Sequence, residues 1–380
     1  MTGAGFTVQG WCPGALRPMM SGDGLVVRVR PHDGRLSQSQ ALGIAAAART
    51  HGNGLIDLSA RGNVQLRGVS EASHPALIDA LRALDLIDAD PAAEARRNVL
   101  VTPFADAGTD RLAQALGQAL RDAPDLPGKF GFAVDTGAAP MLADVSADIR
   151  LERAADGAII LRCDGATLGA PVTVADAPSA AIALAHWFVD AGGISAGRGR
   201  MSALMATGAR PSGRLAPSVP PAPCGTPPGP GLCPQGALLG FEFGQMGADT
   251  LRAVARLGDL RITPWRMVLV EGVDHLPDLC GVITAPDHPL LRVVACTGAP
   301  GCLQGFAPVR SLARRLAGDV PADRTLHVSG CAKGCAHPAA ADVTLVATAQ
   351  GFDVIRHGSA HSTPDRTGVS GTHIDLKALY

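Results

Sequence analysis

Residues 326–345 read LHVSGCAKGCAHPAAADVTL, and residues 132–151 read FAVDTGAAPMLADVSADIRL. The two segments align without a gap, and the same register continues until Arg162 lies over Arg356. Each segment starts as an apolar strand, passes through a loop rich in small residues and returns to a second apolar strand. Repetition of such a unit within one chain predicts an internally duplicated α+β fold.

Two further pairs of segments repeat in the same order. In each half, a strand–helix–strand pattern ends in Gly-Val, at positions 68–69 and at positions 272–273. The segment RRNVLVTP at residues 96–103 is then matched by LRVVACTG at residues 291–298. Three matches in one order favour a duplication. The alternative is convergent αβ patterning in an alanine-rich chain.

The two copies differ in their cysteines. Four of the nine cysteines form a C-x5-C pair and a C-x3-C pair with 28 residues between them: Cys296, Cys302, Cys331 and Cys335. At the positions that match Cys296, Cys331 and Cys335, the first copy has Val101, Gly137 and Met141. We therefore expect the thiol chemistry in the second copy alone.

The spacing of the four cysteines favours an iron–sulfur cluster. Zinc sites use tighter pairs of cysteines, whereas four thiolates bind a [4Fe–4S] cube through loops of varied length. The small residues between the cysteines suit a backbone that turns its N–H groups toward the sulfurs. A helix predicted over residues 303–317 would direct its positive N-terminal end toward the cluster. Structural zinc and a dithiol switch are the alternatives.

The other five cysteines are given no role in this chemistry. Cys12, Cys163 and Cys280 are expected to be buried as small apolar side chains. Cys224 and Cys233 lie in a segment rich in Pro and Gly. Inert thiols are the simpler interpretation of that pair, and a regulatory pair is the alternative.

The charge of the chain excludes two classes of partner. The 380 residues include 33 basic and 34 acidic side chains, for a formal charge of −1. This balance argues against a protein that binds nucleic acid or a polybasic protein of the membrane surface. No uncharged apolar run is long enough to span a bilayer and no signal peptide is evident, so a cytoplasmic location is expected.

The sequence also lacks the common nucleotide-binding motifs. It contains no P-loop, and no G-x-G-x-x-G follows a predicted strand and opens a helix. Redox chemistry in this chain would therefore need an external electron donor. The two classes of donor considered are a ferredoxin and an NAD(P)H-dependent reductase.

These motifs resemble those of the sulfite and nitrite reductase superfamily. The resemblance spans nearly the whole chain and rests on the two cysteine pairs, on RRNVLVTP, on LVVRVRPHDGRL (25–36) and on LSARGNVQLRGV (58–69). Within the superfamily, CAKGCAHP (331–338) and LPGKFGFAVD (126–135) are most similar to precorrin-3B synthases. The resemblance implies a tandem repeat in which two ferredoxin-like half-domains pack together and flank two larger αβ units, with the active site at their junction.

This resemblance divides the chain into five predicted parts. They are a first ferredoxin-like half-domain (1–88), a first αβ repeat unit without a cluster (89–208), a Pro- and Gly-rich linker (209–235), a second ferredoxin-like half-domain (236–288) and a cluster-binding αβ unit (289–380). The linker is expected to be exposed, because its prolines and glycines cannot sustain a helix or a central strand.

In the reductases, the resemblance implies, a [4Fe–4S] cluster is coupled to sirohaem through a shared cysteine, and four cationic side chains hold the substrate anion. Arg28, Arg61 and Lys129 match three of these cations. Gly131 stands where the fourth, a lysine, is expected, and the loss of that charge would weaken the reduction of an anion.

The similarity to precorrin-3B synthases implies a different use of the same pocket. The substrate would be the tetrapyrrole precorrin-3A, which a monooxygenase of aerobic cobalamin biosynthesis hydroxylates with dioxygen and closes to a lactone. The cofactors implied are a [4Fe–4S] cluster and a mononuclear non-haem iron, without sirohaem.

A tetrapyrrole with acetate and propionate arms is a polyanion, for which guanidinium groups are well suited. Side chains at alternate positions of a strand share one face, so neighbouring strands can form a basic floor. The candidate substrate-binding residues are Arg28, Arg30, Arg61, Gln65, Arg67, Arg97, Asn98 and Lys129, with Arg61 and Lys129 as the catalytic residues. Without the resemblance, the solvated face of half-buried antiparallel strands is the favoured interpretation.

Two residues beside the cysteines are further candidates. Lys333 lies between two of the predicted ligands, where a role in compensating charge or in facing the substrate is the functional interpretation and a merely exposed lysine is the alternative. His337 is the histidine nearest the cysteine motif and could ligate an iron. His327, His357, His361 and His373 are rivals, so the iron ligands stay unassigned.

Two other functions remain open from the sequence. One is a sirohaem-dependent sulfite or nitrite reductase. The other is a non-enzymatic iron–sulfur protein, either an electron carrier or a redox sensor, in which the arginines would have no tetrapyrrole to bind.

Overall fold

The computed structural model describes residues 13–137 and 139–380, which hold eight α-helices and twenty strands. The helices are α1 (Gln38–His51), α2 (His74–Arg82), α3 (Pro91–Arg96), α4 (Ala107–Ala119), α5 (Ala177–Asp190), α6 (Met201–Ala206), α7 (Ala248–Ala255) and α8 (Val309–Leu316). The strands are β1 (Met19–Ser21), β2 (Gly24–Val29), β3 (Arg35–Leu36), β4 (Leu55–Leu58), β5 (Val64–Val69), β6 (Val99–Val101), β7 (Phe132–Asp135), β8 (Ile149–Arg153), β9 (Ile159–Cys163), β10 (Ala170–Val172), β11 (Gly231–Cys233), β12 (Gly236–Gly240), β13 (Gln245–Gly247), β14 (Leu260–Ile262), β15 (Met267–Glu271), β16 (Val293–Ala295), β17 (Leu326–Ser329), β18 (Ala341–Thr348), β19 (Gly351–Gly358) and β20 (Arg366–Val369).

Two of the four sheets exchange a strand with each other. The first sheet has the order β1-β2-β5-β4-β13, and the second has the order β11-β12-β15-β14-β3. Strand β13 of the second half thus closes the first sheet, and β3 of the first half closes the second. Each exchanged strand follows a turn with a positive φ of 54°, at Asp33 and at Phe243. The matched turns and the mirrored strand orders agree with the predicted duplication.

The two exchanged sheets share one apolar core. Helix α1 begins after Ser37, whose side chain caps the helix and forms a capping box with Gln40. The buried face of α1 packs against the same core as α2 and α7, so the core contains residues of both half-domains. The opposite faces of the two sheets are therefore left for the αβ units and the site.

The other two sheets belong to the αβ units and have the same topology. In the first, β6, β7 and β8 are parallel, and β9 and β10 continue the sheet in antiparallel fashion. In the second, β16, β17 and β18 are parallel, followed by antiparallel β19 and β20. Helices α4 and α5 cover the first sheet, and α8 covers the second. The predicted α+β class with a tandem repeat is confirmed.

The Pro- and Gly-rich segment is more ordered than a simple linker. Isolated bridges join Ala154 to Pro221 and Gly169 to Val219, so the segment lies along the first αβ unit. Its last residues form β11, which pairs with β12 at the edge of the second sheet. An edge strand needs hydrogen bonds on one side only, which Pro- and Gly-rich sequence tolerates. The predicted boundary at 235/236 thus falls within a β-hairpin. The division of the chain into five parts remains a prediction.

One expectation about the unassigned cysteines is wrong. Cys163 is buried as predicted, but Cys280 is exposed. Cys280 lies in an irregular segment between β15 and β16 that no helix or strand covers. Cys12 lies outside the described residues. None of the helices in the described ranges has the length and apolar character needed to cross a membrane.

Candidate functional site

All four predicted ligand cysteines line one cavity of about 190 Å³. Cys296 and Cys302 lie in the loop after β16, and Cys331 and Cys335 lie in the loop after β17. Strands β16 and β17 are parallel neighbours, so their carboxyl ends bring the two loops together at one edge of the sheet. Strand β1 closes the cavity with Met19, Met20 and Ser21.

The backbone around the thiols is shaped for close approach. The N–H of Gly330 donates to Sγ of Cys296 at 3.1 Å. Gly298 has a φ of +65°, and a Cβ placed on Gly305 would lie 2.6 Å from the amide nitrogen of Ala299. These two glycines let the loop after β16 fold back on itself, and a Cβ on Gly330 of the other loop would lie 3.0 Å from Cα of Gly298, so glycine also allows the two loops to approach closely. Amide groups aimed at sulfur are the usual surroundings of an iron–sulfur cluster.

The electrostatics at Cys296 favour a thiolate. A hydrogen bond from the Cys335 thiol, with further bonds from the N–H groups of Gly330 and Gly298, lowers the pKa of Cys296 to about 6. The same hydrogen bond is the larger cause, and burial the second, of a raised pKa at Cys335. Burial also raises the pKa of Cys331. One thiolate is therefore stabilised by the protein itself, and further thiolates need a cation between them.

The donor set fits a four-iron cluster better than a single metal ion. In the part of the chain that the structure describes, no three histidine, cysteine or acidic side chains are close enough together to hold one ion. A [4Fe–4S] cube needs a wider arrangement, because each of its four irons takes one thiolate. Cys296, Cys302, Cys331 and Cys335 around one cavity provide such an arrangement.

The predicted helix after Cys302 begins later than expected. Helix α8 covers Val309–Leu316, and the residues between Cys302 and Pro308 form turns. Gly305 and Pro308 interrupt the apolar pattern that suggested a helix from residue 303. The first turn of α8 nevertheless lies against the cysteine loop, since a Cβ on Gly298 would be 3.0 Å from the amide nitrogen of Val309.

A polar row crosses the outer face of the first sheet. Its members are cross-strand neighbours on β2, β5, β4 and β13: Arg28, Gln65, Asp57 and Gln245. Nη2 of Arg28 donates to Oε1 of Gln65 at 2.7 Å, and Nε2 of Gln245 donates to Oδ1 of Asp57 at 2.7 Å. In the second sheet the matching row is Leu238, Leu269, Arg261 and Arg35. The matching row is apolar at its first two positions, and its two arginines pair with carboxylates, so a row that is polar at all four positions occurs only in the first of these two sheets.

Arg67 holds the hairpin and the cysteine loop together. Its guanidinium pairs with Asp23 at 2.6 Å and with Asp57 at 3.2 Å, and its side chain is only 6% exposed. Nη2 of Arg67 also donates to the carbonyl oxygen of Gly301 at 2.8 Å, next to Cys302. These contacts satisfy the guanidinium internally, so the structure gives Arg67 a supporting position behind the row.

Arg30 and Arg97 lie away from the row. Nη1 of Arg30, which is buried, donates to the carbonyl oxygen of Glu94. Arg97 pairs with Asp88 at 2.7 Å and donates to the carbonyl oxygen of Arg30 at 2.8 Å. Arg97 lines a separate cavity of about 430 Å³ between the first half-domain and α4, with His32 among its other residues. Strand alternation alone did not reveal these internal partners.

The structure brings together Arg61, Lys129 and Asn98. Nη1 of Arg61 donates to the carbonyl oxygen of Lys129 at 3.1 Å, and Nδ2 of Asn98 donates to the carbonyl oxygen of Phe130 at 2.8 Å. The side chain of Lys129 is exposed. A Cβ on Gly131 would lie 2.6 Å from Nδ2 of Asn98, so the lysine expected there by resemblance has no room unless Asn98 moves.

Two arginines near the cysteines were missed by sequence reasoning. Nε of Arg310 on α8 donates to the carbonyl oxygen of Cys296 at 3.2 Å, and its Nη2 lies 3.7 Å from Oδ1 of Asp57. Nη2 of Arg266, from the turn between β14 and β15, donates to the carbonyl oxygen of Ala336 at 2.9 Å. The repeat contained a signal for Arg266, because it occupies the position that Gly62 has in the first copy.

The histidines next to the cysteine loop form a pair. The rings of His327 and His337 lie 5.6 Å apart in an edge-to-face arrangement, and His327 is fully buried. Burial, followed by His337, lowers the pKa of His327 to about 4, so this ring is neutral at neutral pH. Lys333 lines the thiol cavity. His357 lies on β19, and His361 and His373 follow it in the chain.

Comparisons with known proteins agree with this architecture. Residues 17–84 match the family described as the nitrite/sulfite reductase ferredoxin-like half domain. The chain is similar to a precorrin-3B synthase of Sinorhizobium sp, at 30% identity over 414 aligned positions that cover 96% of this chain and 87% of that protein. It is also similar to the structure of the Mycobacterium tuberculosis NirA protein, with a TM-score of 0.65 and 19% identity over 90% of this chain and 76% of that one. The second likeness concerns the fold alone.

Proposed function

We propose, from the premise that this chain belongs to the precorrin-3B synthase family, that it hydroxylates precorrin-3A with dioxygen and closes a lactone on the product. The chain is an enzyme of cobalamin biosynthesis, and its fold is that of the nitrite and sulfite reductases. The observation that carries the proposal is that Arg310 links the polar row to the cysteine loop, because it lies 3.7 Å from Asp57 and donates to the carbonyl oxygen of Cys296.

The polar row supports a polyanionic substrate. Arg28 on the row is half-buried and donates to the neutral side chain of Gln65. Arg61 and Lys129 are linked to each other at the side of the first αβ unit. Guanidinium and ammonium groups suit the carboxylate arms of a tetrapyrrole. Arg67 would support this floor from behind, and Gln65 and Asn98 would orient it, whereas Arg30 and Arg97 lie away from the row.

We assign Cys296, Cys302, Cys331 and Cys335 as the ligands of a [4Fe–4S] cluster. When bound, the cluster supplies single-electron transfer. Insertion of one oxygen atom from dioxygen leaves the other atom as water, which requires two electrons and two protons. We propose that these electrons come from a ferredoxin or an NAD(P)H-dependent reductase in the cytoplasm. Arg310 would keep the cysteine loop in contact with the substrate floor, since it bonds to Cys296 and lies next to Asp57.

The structure at Gly131 weighs against a sulfite or nitrite reductase. Reduction of a small oxyanion uses a cluster of cations around the anion. Gly131 carries no charge at the position of the fourth cation, and a side chain there would require Asn98 to move. The site has one cation fewer than the four implied for the reductases, and its polar groups extend across four strands. Both features suit a large substrate with several separated carboxylates.

The test is anaerobic titration of the purified protein with precorrin-3A, followed by admission of ¹⁸O₂ and mass spectrometry of the product. The expected product contains one ¹⁸O atom, and its formation requires an added electron donor. Intense haem bands in the absorption spectrum of the purified protein, together with sulfite or nitrite reduction, would overturn the proposal. Absence of any tetrapyrrole binding would instead favour an electron carrier or redox sensor.

A further inference from the structure

We propose that Arg266 provides the counter-charge of the four-cysteine site and thereby raises the reduction potential of the cluster held there. This inference rests on the proposed function, because it concerns the cluster assigned to those cysteines. Arg266 belongs to the second ferredoxin-like half-domain, outside the αβ unit that carries the cysteines, and its side chain is not a metal ligand.

The first argument is position. Arg266 lies in the turn between β14 and β15, and this turn reaches the loop that carries Cys335. Its Nη2 donates to the carbonyl oxygen of Ala336, the residue directly after Cys335, at 2.9 Å. The stem of the side chain passes so close to Gly244 that a Cβ there would be 2.6 Å from Cβ of Arg266. The guanidinium is therefore fixed against the cysteine loop.

The second argument is charge. Among the described residues, no carboxylate lies within ion-pair distance of Arg266. The groups that act on its pKa after burial are Cys335, Asp57, Arg310 and Cys296. Asp57 already forms ion pairs with Arg67 and Arg310. Arg266 is partly buried, and this burial lowers its pKa. A partly buried cation without a carboxylate in ion-pair contact is less favourable than a solvated one unless another anion is present, and four thiolates around iron would provide one.

The third argument is the backbone. Arg266 has a φ of +60°, a left-handed conformation that disfavours residues with a side chain. The matching residue of the first copy is Gly62, with a φ of +63°. That copy has Met141 in place of Cys335. Within one chain, the copy with thiols carries the arginine and the copy without them carries the glycine that the turn prefers.

These arguments make Arg266 a positioning and electrostatic residue. A cation beside a redox centre favours the reduced form, which is more negative by one charge. The partly buried guanidinium and the strained turn both oppose folding of the cluster-free protein. A bound cluster would provide the anion that the guanidinium lacks and so remove the first of these two costs. Arg266 thereby makes cluster binding and folding depend on each other.

The experiment compares wild type with R266G, R266Q and R266K after anaerobic cluster reconstitution. The reduction potential is measured by titration monitored by electron paramagnetic resonance, and iron and sulfide are determined for each protein. We expect lower potentials for R266G and R266Q and a potential near that of wild type for R266K. R256Q is the control, because Arg256 is exposed at the end of α7.

A second readout is the stability of the cluster-free protein. R266G relieves the strained turn, so its melting temperature without cluster should equal or exceed that of wild type. The gap in melting temperature between loaded and cluster-free protein should then be narrower for R266G than for wild type. An unchanged potential in both R266G and R266Q, with full iron content, overturns the role of Arg266 alone. Wild type that binds no iron and sulfide overturns both this role and the proposed cluster.

Discussion

Nη2 of Arg310 lies 3.7 Å from Oδ1 of Asp57, and this contact joins the cysteine unit to the first sheet. Asp57 also accepts hydrogen bonds from Gln245 and from Arg67. One carboxylate therefore fixes groups from three separate parts of the chain. This side chain fixes the relative position of the polar row and the cysteine loop together with the hydrogen bonds that Ser21, Gly22 and Arg67 donate to the carbonyl oxygen of Gly301.

Replacement of Asp57 should lower the stability of the whole molecule. In Asp57→Asn, Arg67 and Arg310 lose a charged partner in a largely buried place. Each hydrogen bond to a charged group is worth about 1.5–3 kcal/mol, so we expect a loss of about 2 kcal/mol in the free energy of unfolding. Urea denaturation measures it. The matched control is Asp249→Asn, whose pair with Arg49 is exposed and should matter little. Equal stability of the two variants would show that Asp57 is not the junction.

Loss of one ligand cysteine should abolish the cluster. Cys331→Ala removes a thiol that lines the cavity, and three thiolates leave one iron without a protein ligand. We expect the iron and sulfide content after reconstitution to fall to a small fraction of that of wild type. Cys163→Ala is the control, because this buried thiol lies in the core of the cluster-free unit. Full iron content in Cys331→Ala would contradict the ligand assignment.

Removal of a basic group from the floor should weaken substrate binding. In Arg28→Gln the tetrapyrrole loses one charge-assisted hydrogen bond, worth about 1.5–3 kcal/mol, or about 10- to 100-fold in Kd. Lys129→Gln should act in the same direction. Anaerobic fluorescence titration with precorrin-3A measures both. Arg35→Gln is the matched control, since Arg35 occupies the corresponding row of the second sheet and pairs with Glu271. Unchanged affinity in both floor variants would leave the row without a substrate role.

The cluster-free copy should show its own pH dependence. Oδ2 of Asp135 accepts hydrogen bonds from the N–H groups of Met141 and Leu142 at 2.7 Å each, but burial raises the pKa of Asp135 above the ordinary value of 3.8. The folded protein therefore holds this proton more tightly than the unfolded chain. The contribution of Asp135 to stability is present at low pH and is lost as the pH rises through the raised pKa.

Unfolding at several pH values tests the behaviour of Asp135. The stability of wild type relative to Asp135→Asn should decrease as the pH rises from about 4. Asp342→Asn is the comparison of opposite sign. Hydrogen bonds from Arg324 and Thr325 lower the pKa of Asp342 to about 2, so its contribution is present above 3.8 and is lost as the pH falls toward 2. The same pH trend in both variants would refute the role of burial at Asp135.

The duplication, the α+β class and the family could be predicted because the repeated segments and the motifs follow one another in a fixed order along the chain. The cysteine pairs could be located because the ends of neighbouring parallel strands meet at one edge. The partner of Arg67 could not be predicted, since Asp23 and Asp57 reach it only through strand pairing and a hairpin turn. Arg97 was grouped with the substrate residues by its motif, and its ion pair with Asp88 is a tertiary contact.

Local exceptions to regular patterns were equally hidden. The apolar spacing of residues 303–317 resembles a helix, but Gly305 and Pro308 delay the start of α8 to Val309. The burial of Cys280 was inferred from residue type alone, whereas its exposure depends on an irregular segment. The left-handed conformation of Arg266 could be predicted only from the alignment of the two copies, in which Arg266 matches Gly62, because nothing in the sequence around Arg266 indicates it.

The exchange of β3 and β13 has a consequence for the history of the chain. Each half contributes one edge strand to the sheet of the other half, so neither sheet is complete within its own half. A single ancestral copy could have completed its sheet only by exchanging the same strand with a second, identical subunit in a symmetric dimer. Fusion of two such subunits would place the join in the segment of residues 209–235. Two polypeptides cut within that segment should accordingly still recognise each other and assemble.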